Sequence, residues 1–242
     1  MEGIYVKEFE LGINDVDKNN KMKLSTYLKF MQEIGALHSK VYGYCLDTEP
    51  ITHKAWVVIA WNVDILDKPS WNEKIIVKTW IGKIDKIYFY RYFEMTNEKG
   101  EVVAKAKSQW IMIDTCTKKI QKITSELLSG FTEVHMDGYS DGISKVNLKF
   151  DKEKLEKIYE CSVQKRDVDT NNHMNNIIYL DLALEGLDDT FCYSIKNIEI
   201  HYKTECKLGE KIVFMKNEKN NVYILDENEE KVHTLVMLNR GE

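Results

Sequence analysis

The sequence predicts an α+β fold made of two tandem copies of one unit. Three observations predict it: a ten-residue repeat at a fixed offset, a helical apolar stripe after each copy, and alternating strand patterns that complete each half.

The repeat comes first. Residues 15–24 read DVDKNNKMKL and residues 167–176 read DVDTNNHMNN, six of ten positions identical at an offset of 152. The same register pairs Tyr27-Leu28 with Tyr179-Leu180. After the first copy, Leu24, Tyr27, Leu28, Met31, Ile34, His38 and Val41 recur at spacings of three and four, which gathers them on one helix face. After the second copy, Ile177, Leu180, Leu184 and Leu187 do the same over a shorter span. Strand-type alternation then covers 56–67, 73–84, 86–97 and 101–115 in the first half, and 193–204, 210–217, 221–226 and 231–238 in the second. Hairpin signals lie at Asn97-Glu98-Lys99-Gly100, Glu218-Lys219-Asn220-Asn221 and Asp226-Glu227-Asn228-Glu229. Trp71-Asn72-Glu73-Lys74-Ile75 parallels Leu208-Gly209-Glu210-Lys211-Ile212 at the entry to a strand.

Each half therefore reads strand, helix, antiparallel meander. A helix with a continuous apolar face needs a sheet to cover it. That order is the hot-dog arrangement, and two copies make a double hot-dog. The expected boundaries are an N-terminal repeat at 1–136, a polar, Gly-containing linker at 137–157 and a C-terminal repeat at 158–242. The competing reading is one α+β domain with a coincidental repeat.

Composition narrows the function. Hydrophobic residues make up 43% and charged residues 30% of 242, an ordinary globular balance. Net charge is −5, which argues against nucleic-acid binding. The start lacks the basic and apolar regions of a signal peptide, and no apolar run approaches the ~20 residues of a membrane span. Five cysteines with no CxxC pair fit a reducing, cytoplasmic setting. The six histidines show no HxxxH or HExxH spacing, so no metal site is expected.

The two copies differ in chemistry. His173 stands where the first copy has Lys21, and Asn175 and Asn176 stand where it has Lys23 and Leu24. In an extended segment Asp169, Asn171 and His173 would share a face. The carboxylate then orients or protonates the imidazole, the amide donates to an oxygen, and the imidazole moves a proton near neutral pH. Asn175 and Asn176 suit the start of a helix, whose free N–H groups favour a developing oxyanion. About thirty residues on, Tyr202-Lys203-Thr204-Glu205-Cys206 ends a strand. Glu205 there is a candidate to activate water, and Cys206 a candidate nucleophile if His173 stabilised its thiolate. The structural alternative is that these are caps, turns, a packed His and a small buried Cys; the spacings alone name no reaction.

The run Arg166-Asp167-Val168-Asp169-Thr170-Asn171-Asn172-His173-Met174-Asn175-Asn176, followed by Tyr179 and Leu184-Glu185, resembles the C-terminal half of the acyl-ACP thioesterases, with Met174 in place of the family's usual Val. Tyr202, Glu205 and Cys206 match the family's Y-x-x-E-C. Trp61, Pro69-Ser70-Trp71, Thr79-Trp80, Arg91, Gly100-Glu101 and Ser108-Gln109-Trp110 follow in the family's order, so the resemblance covers roughly residues 4 to 215. It implies a double hot-dog fold, hydrolysis of fatty acyl-ACP to free fatty acid and ACP, no cofactor, and catalytic roles for Asp169, Asn171, His173, Glu205 and Cys206. Both a Cys–His–Asn nucleophilic mechanism and an acid-activated water have been considered for the family; a carboxylate beside the Cys favours water.

Acyl carrier protein is acidic, so its docking needs a basic patch, for which Lys105, Lys107, Lys118, Lys119 and Lys122 are candidates. Met31, Ile34, Trp56, Trp61 and Tyr88-Phe89-Tyr90 are candidates to line an acyl slot, with ordinary core as the alternative. Rival activities are an acyl-CoA thioesterase, a hot-dog dehydratase and a catalytically silent acyl-binding module; a homodimer is left open.

Overall fold

The computed structural model describes residues 2–124, 131–136, 139, 143 and 145–241. The chain divides into two compact units, Met1–Ile143 and Ser144–Glu242. The first unit opens with strand β1 (Ile4–Glu10) and helix α1 (Leu24–Val41). A short helix α2 (Glu49–Thr52) precedes β2 (Lys54–Ile65), β3 (Lys74–Asp85), β4 (Tyr88–Asn97) and β5 (Val102–Asp114). Its sheet runs β1-β3-β4-β5-β2, every neighbour antiparallel.

α1 forms where the apolar stripe predicts it. Tyr27, Leu28, Met31 and Ile34 are buried to 1% exposure or less against the sheet. Burying each contributes about 1.5–3 kcal/mol, which outweighs the weak propensity of the isolated helix. Val41, expected on that stripe, is 65% exposed, because the helix ends there at the Tyr42 cap. Trp61, Trp80 and Phe93 complete the core of this unit.

The second unit repeats the plan in shorter form. It comprises β6 (Glu156–Ser162), α3 (Asn176–Glu185), α4 (Asp189–Ser194), β7 (Ile195–Tyr202), β8 (Lys211–Lys216), β9 (Val222–Asp226) and β10 (Val232–Arg240). Its sheet runs β7-β10-β9-β8-β6, again antiparallel throughout. α3 buries Tyr179, Leu180 and Ala183. Leu187 lies beyond α3, since Asp188 caps α4 by accepting the Phe191 N–H at 3.0 Å. The predicted tight turns close with left-handed residues at Gly100, Asn220 and Glu229.

β6 begins at Glu156, inside the segment expected to be a linker. It is an edge strand, and its charges Glu156, Lys157 and Glu160 hide the strand alternation behind a solvated pattern. Within that expected linker, residues 137, 138, 140–142 and 144 lie outside the described residues.

Candidate active site

The two copies of the repeat fold alike, bond for bond. In the first, Asp17 Oδ1 accepts the N–H groups of Asn19 at 2.8 Å and Lys21 at 3.0 Å. In the second, Asp169 Oδ1 accepts those of Asn171 at 2.8 Å and His173 at 3.3 Å. The Asp17 N–H reaches the Lys21 carbonyl at 2.7 Å, and the Asp169 N–H reaches that of His173 at 2.9 Å. Asn20 and Asn172 take positive φ, 58° and 62°, which asparagine tolerates in such loops.

Residues 169–173 are therefore a closed turn and not an extended segment. Asp169, Asn171 and His173 do not share a strand face, because the Asp169 carboxylate is turned back onto the turn's own N–H groups. Its bond pattern is also that of Asp17 in the copy without the histidine, so its observed work is to shape the turn.

The turn delivers two things. It leads into α3, whose N-cap is Asn175; the Asn175 Oδ1 accepts the Ile177 N–H at 3.0 Å. It also lays His173 against the segment after β7, where the Met174 N–H donates to the Cys206 carbonyl at 2.8 Å. The first copy does the same with Met22 and the Pro69 carbonyl at 2.7 Å. By this register Glu205 corresponds to Lys68 and Cys206 to Pro69.

The register brings His173 and Glu205 together: Nδ1 lies 3.1 Å from Glu205 Oε2, with side-chain exposures of 20% and 55%. A half-buried imidazole beside a solvent-reaching carboxylate is an arrangement that can hold and deprotonate a water. The first copy has lysine at both positions, and Lys21 Nζ donates to Ser70 Oγ at 3.1 Å. Asn171 is exposed on the same turn.

Cys206 is placed differently. It is fully buried, and burial pushes its thiol up to about 12, partly offset by a hydrogen bond from Tyr179. Its backbone N–H donates to the Tyr179 hydroxyl at 2.9 Å. Its sulfur lies with the Glu210 carboxylate and the His233 ring, all three donor atoms within 4.8 Å of one another. A buried thiol with a raised pKa holds very little thiolate near neutral pH, the opposite of an activated nucleophile.

Four further residues shape this neighbourhood beyond the sequence candidates. Tyr179 anchors the Glu205-Cys206 backbone from α3, and its partner Tyr27 in the repeat anchors Asp67 O at 2.6 Å. Pairing of the tyrosines was the available signal. Glu210 and His233 carry no recognisable spacing with Cys206. Tyr202 donates to the Asn176 carbonyl at 2.7 Å, tying β7 to the start of α3.

Of the docking lysines, Lys105 lies over the Tyr139 ring at 5.1 Å, while Lys118, Lys119 and Lys122 are exposed. Of the acyl-slot candidates, Met31, Ile34, Trp61 and Phe89 are buried in the first unit, and Trp56 packs on Phe89 with centroids 4.7 Å apart. Among the described residues no helix is long and apolar enough to cross a membrane.

The models of the acyl-ACP thioesterase N-terminal and C-terminal domains match residues 2–131 and 149–242. The chain is 23% identical over 219 residues to oleoyl-acyl carrier protein thioesterase 1 of Arabidopsis thaliana, covering 84% of this chain and 60% of that protein. It is 24% identical over 221 residues to the palmitoyl-acyl carrier protein thioesterase of Cuphea hookeriana, with 84% of this chain and 52% of that protein covered. It thus spans little more than half the length of these curated relatives. Among solved structures it is similar to an acyl-ACP thioesterase from Bacteroides thetaiotaomicron, with a TM-score of 0.84, 19% identity and 98% of both chains covered. The 12:0-ACP thioesterase from Umbellularia californica matches with a TM-score of 0.79, 19% identity, and 100% of this chain and 99% of that one. These likenesses establish two tandem hot-dog units. With family models matched over nearly the whole sequence, the chain belongs to the acyl-ACP thioesterase family.

Proposed function

We propose that the chain hydrolyses fatty acyl-ACP thioesters to free fatty acid and ACP, using a water activated at Glu205 and His173. The observation that carries this reading is the 3.1 Å contact of His173 Nδ1 with Glu205 Oε2, in the one copy of the repeat that has these residues. The Asn171 amide and the first turn of α3 offer donors to the thioester oxygen as it becomes negative. Glu205 takes a proton from water, and the hydroxide adds to the carbonyl carbon. The tetrahedral intermediate collapses with loss of the carrier thiolate, which takes the proton back through the Glu205–His173 pair. Asp169 contributes by holding the turn.

Burial of Cys206 favours water over a covalent acyl-sulfur intermediate, and gives the thiol a supporting place instead. The exposed Lys118, Lys119 and Lys122 are the part of the basic patch best suited to an acidic carrier. Five free cysteines fit a cytoplasmic setting, with the product leaving fatty acid synthesis. The test is release of free fatty acid from acyl-ACPs of varied chain length, with acyl-CoA in parallel. Faster release from acyl-ACP supports the reading. No release from any thioester overturns it, and faster release from acyl-CoA reassigns the carrier.

A further inference from the structure

The buried ring of His233 poses a hydrogen-bonding problem. It is 1% exposed. Its Nδ1 lies 3.1 Å from Thr204 Oγ1, and that hydroxyl in turn reaches the Val232 carbonyl at 3.4 Å. The hydroxyl has one proton; with that proton on the carbonyl, Nδ1 is the protonated ring nitrogen and donates to Thr204. Nε2 is then left with a lone pair. It has no hydrogen-bond partner, although Glu210 Oε1 stands 3.2 Å away, off the direction a hydrogen bond needs. In that tautomer a ring lone pair and a carboxylate oxygen this close, with the ring itself buried, favour a cation shared between them.

The third donor is the Cys206 sulfur, within 4.8 Å of both. We propose that Cys206, Glu210 and His233 form a structural site for a divalent ion of the zinc type. Thiolate with imidazole and carboxylate is a donor set that selects such an ion, and three protein ligands leave a fourth position for water. Ordinary zinc–nitrogen and zinc–oxygen bonds of about 2.0–2.1 Å in a tetrahedral site set the two donors about 3.3 Å apart, close to the 3.2 Å seen. The donors are also held from behind. Thr204 fixes the ring at Nδ1, as the outer partner of a metal-bound histidine usually does, and the Lys207 N–H fixes Glu210 Oε2 at 2.8 Å. Thiolate and carboxylate together cancel the ion's charge, so it can be buried. Glu210, with 32% of its side chain exposed, gives an entry path. Binding releases the thiol proton to solvent.

The site pins residues 204–210, and so the backbone that presents Glu205. It needs no role in the reaction itself, and its test is independent of thioesterase activity. Chelator-treated full-length protein is titrated with Co2+ and, separately, with Zn2+. The expected result is one equivalent of metal, a near-ultraviolet thiolate-to-cobalt charge-transfer band, and a Zn2+-dependent rise in Tm of about 5 °C at a hundredfold excess over Kd. The band persists in Cys116→Ser, disappears in Cys206→Ser, and requires at least tenfold more cobalt in His233→Gln. Absence of metal binding by the wild-type chain overturns the proposal. So does a charge-transfer band that survives in folded Cys206→Ser.

Discussion

Tyr179 and Tyr27 offer a paired perturbation, because the repeat gives them the same position and opposite bonds. The Tyr179 hydroxyl accepts the N–H of fully buried Cys206 at 2.9 Å, whereas the Tyr27 hydroxyl donates to the Asp67 carbonyl at 2.6 Å. Tyr179→Phe keeps the ring and leaves a buried donor unpaired, which costs about 1–3 kcal/mol. For a chain of this size that lowers Tm by about 2–4 °C per kcal/mol. Tyr27→Phe leaves a partly buried carbonyl with one bond fewer and costs about 0.5–1.5 kcal/mol. The two differ in function. Tyr179 fixes the backbone next to Glu205, so its loss lets the carboxylate drift and lowers kcat by about ten- to a hundredfold, the scale of a small misplacement. Tyr27→Phe leaves kcat at the wild-type value. Urea unfolding gives the stability change, and initial rates of fatty acid release from acyl-ACP give the rest. Equal losses of kcat in the two variants would refute the assignment of the working site to the second unit.

Two further predictions follow from buried titrating groups. With the Cys206 thiol pushed up to about 12, only about one molecule in 10⁴ carries a thiolate at pH 8; iodoacetamide therefore modifies exposed Cys116 first and leaves Cys206 intact in the folded protein, as peptide mass mapping would report. Burial, and then the Arg91 charge with its Nη1 2.8 Å from the ring Nδ1, lowers His38 to about 3. Its neutral form therefore stabilises the fold above the unfolded value near 6.5, and that stability drains as pH falls, by about 3 kcal/mol between pH 6.5 and 4. His38→Gln flattens the acid limb of urea stability against pH; an unchanged limb contradicts this account.

Much of the fold was legible because it rests on periodicity. The stripe from Leu24 to Ile34 needed only the helical repeat, and the turns at Gly100, Asn220 and Glu229 needed only turn chemistry. The start of β6 reads as linker because an edge strand can carry charges on its open side, as Glu156 and Lys157 do. The site was legible in part. His173 and Glu205 do meet, but the geometry expected of 169–173 was wrong. Strand alternation fails where a side chain competes for the backbone, and Asp169 closes its own turn. Cys206 reads as a nucleophile from sequence because sequence shows neighbours and not depth; only the fold reveals that it is buried beside Glu210 and His233. That cluster is assembled by strand pairing between distant segments, and no local spacing announces it.

The central claim is that Glu205, paired with His173, activates water, and the most direct measurement is single-turnover hydrolysis of acyl-ACP by Glu205→Gln, quenched and analysed for covalent acyl-enzyme. The substitution keeps size and polarity and removes the base. The account predicts a rate lower by about 10²–10⁴-fold, unchanged substrate binding and no acyl group on Cys206. Retention of the wild-type rate, or an acyl group trapped on the Cys206 sulfur, would contradict it.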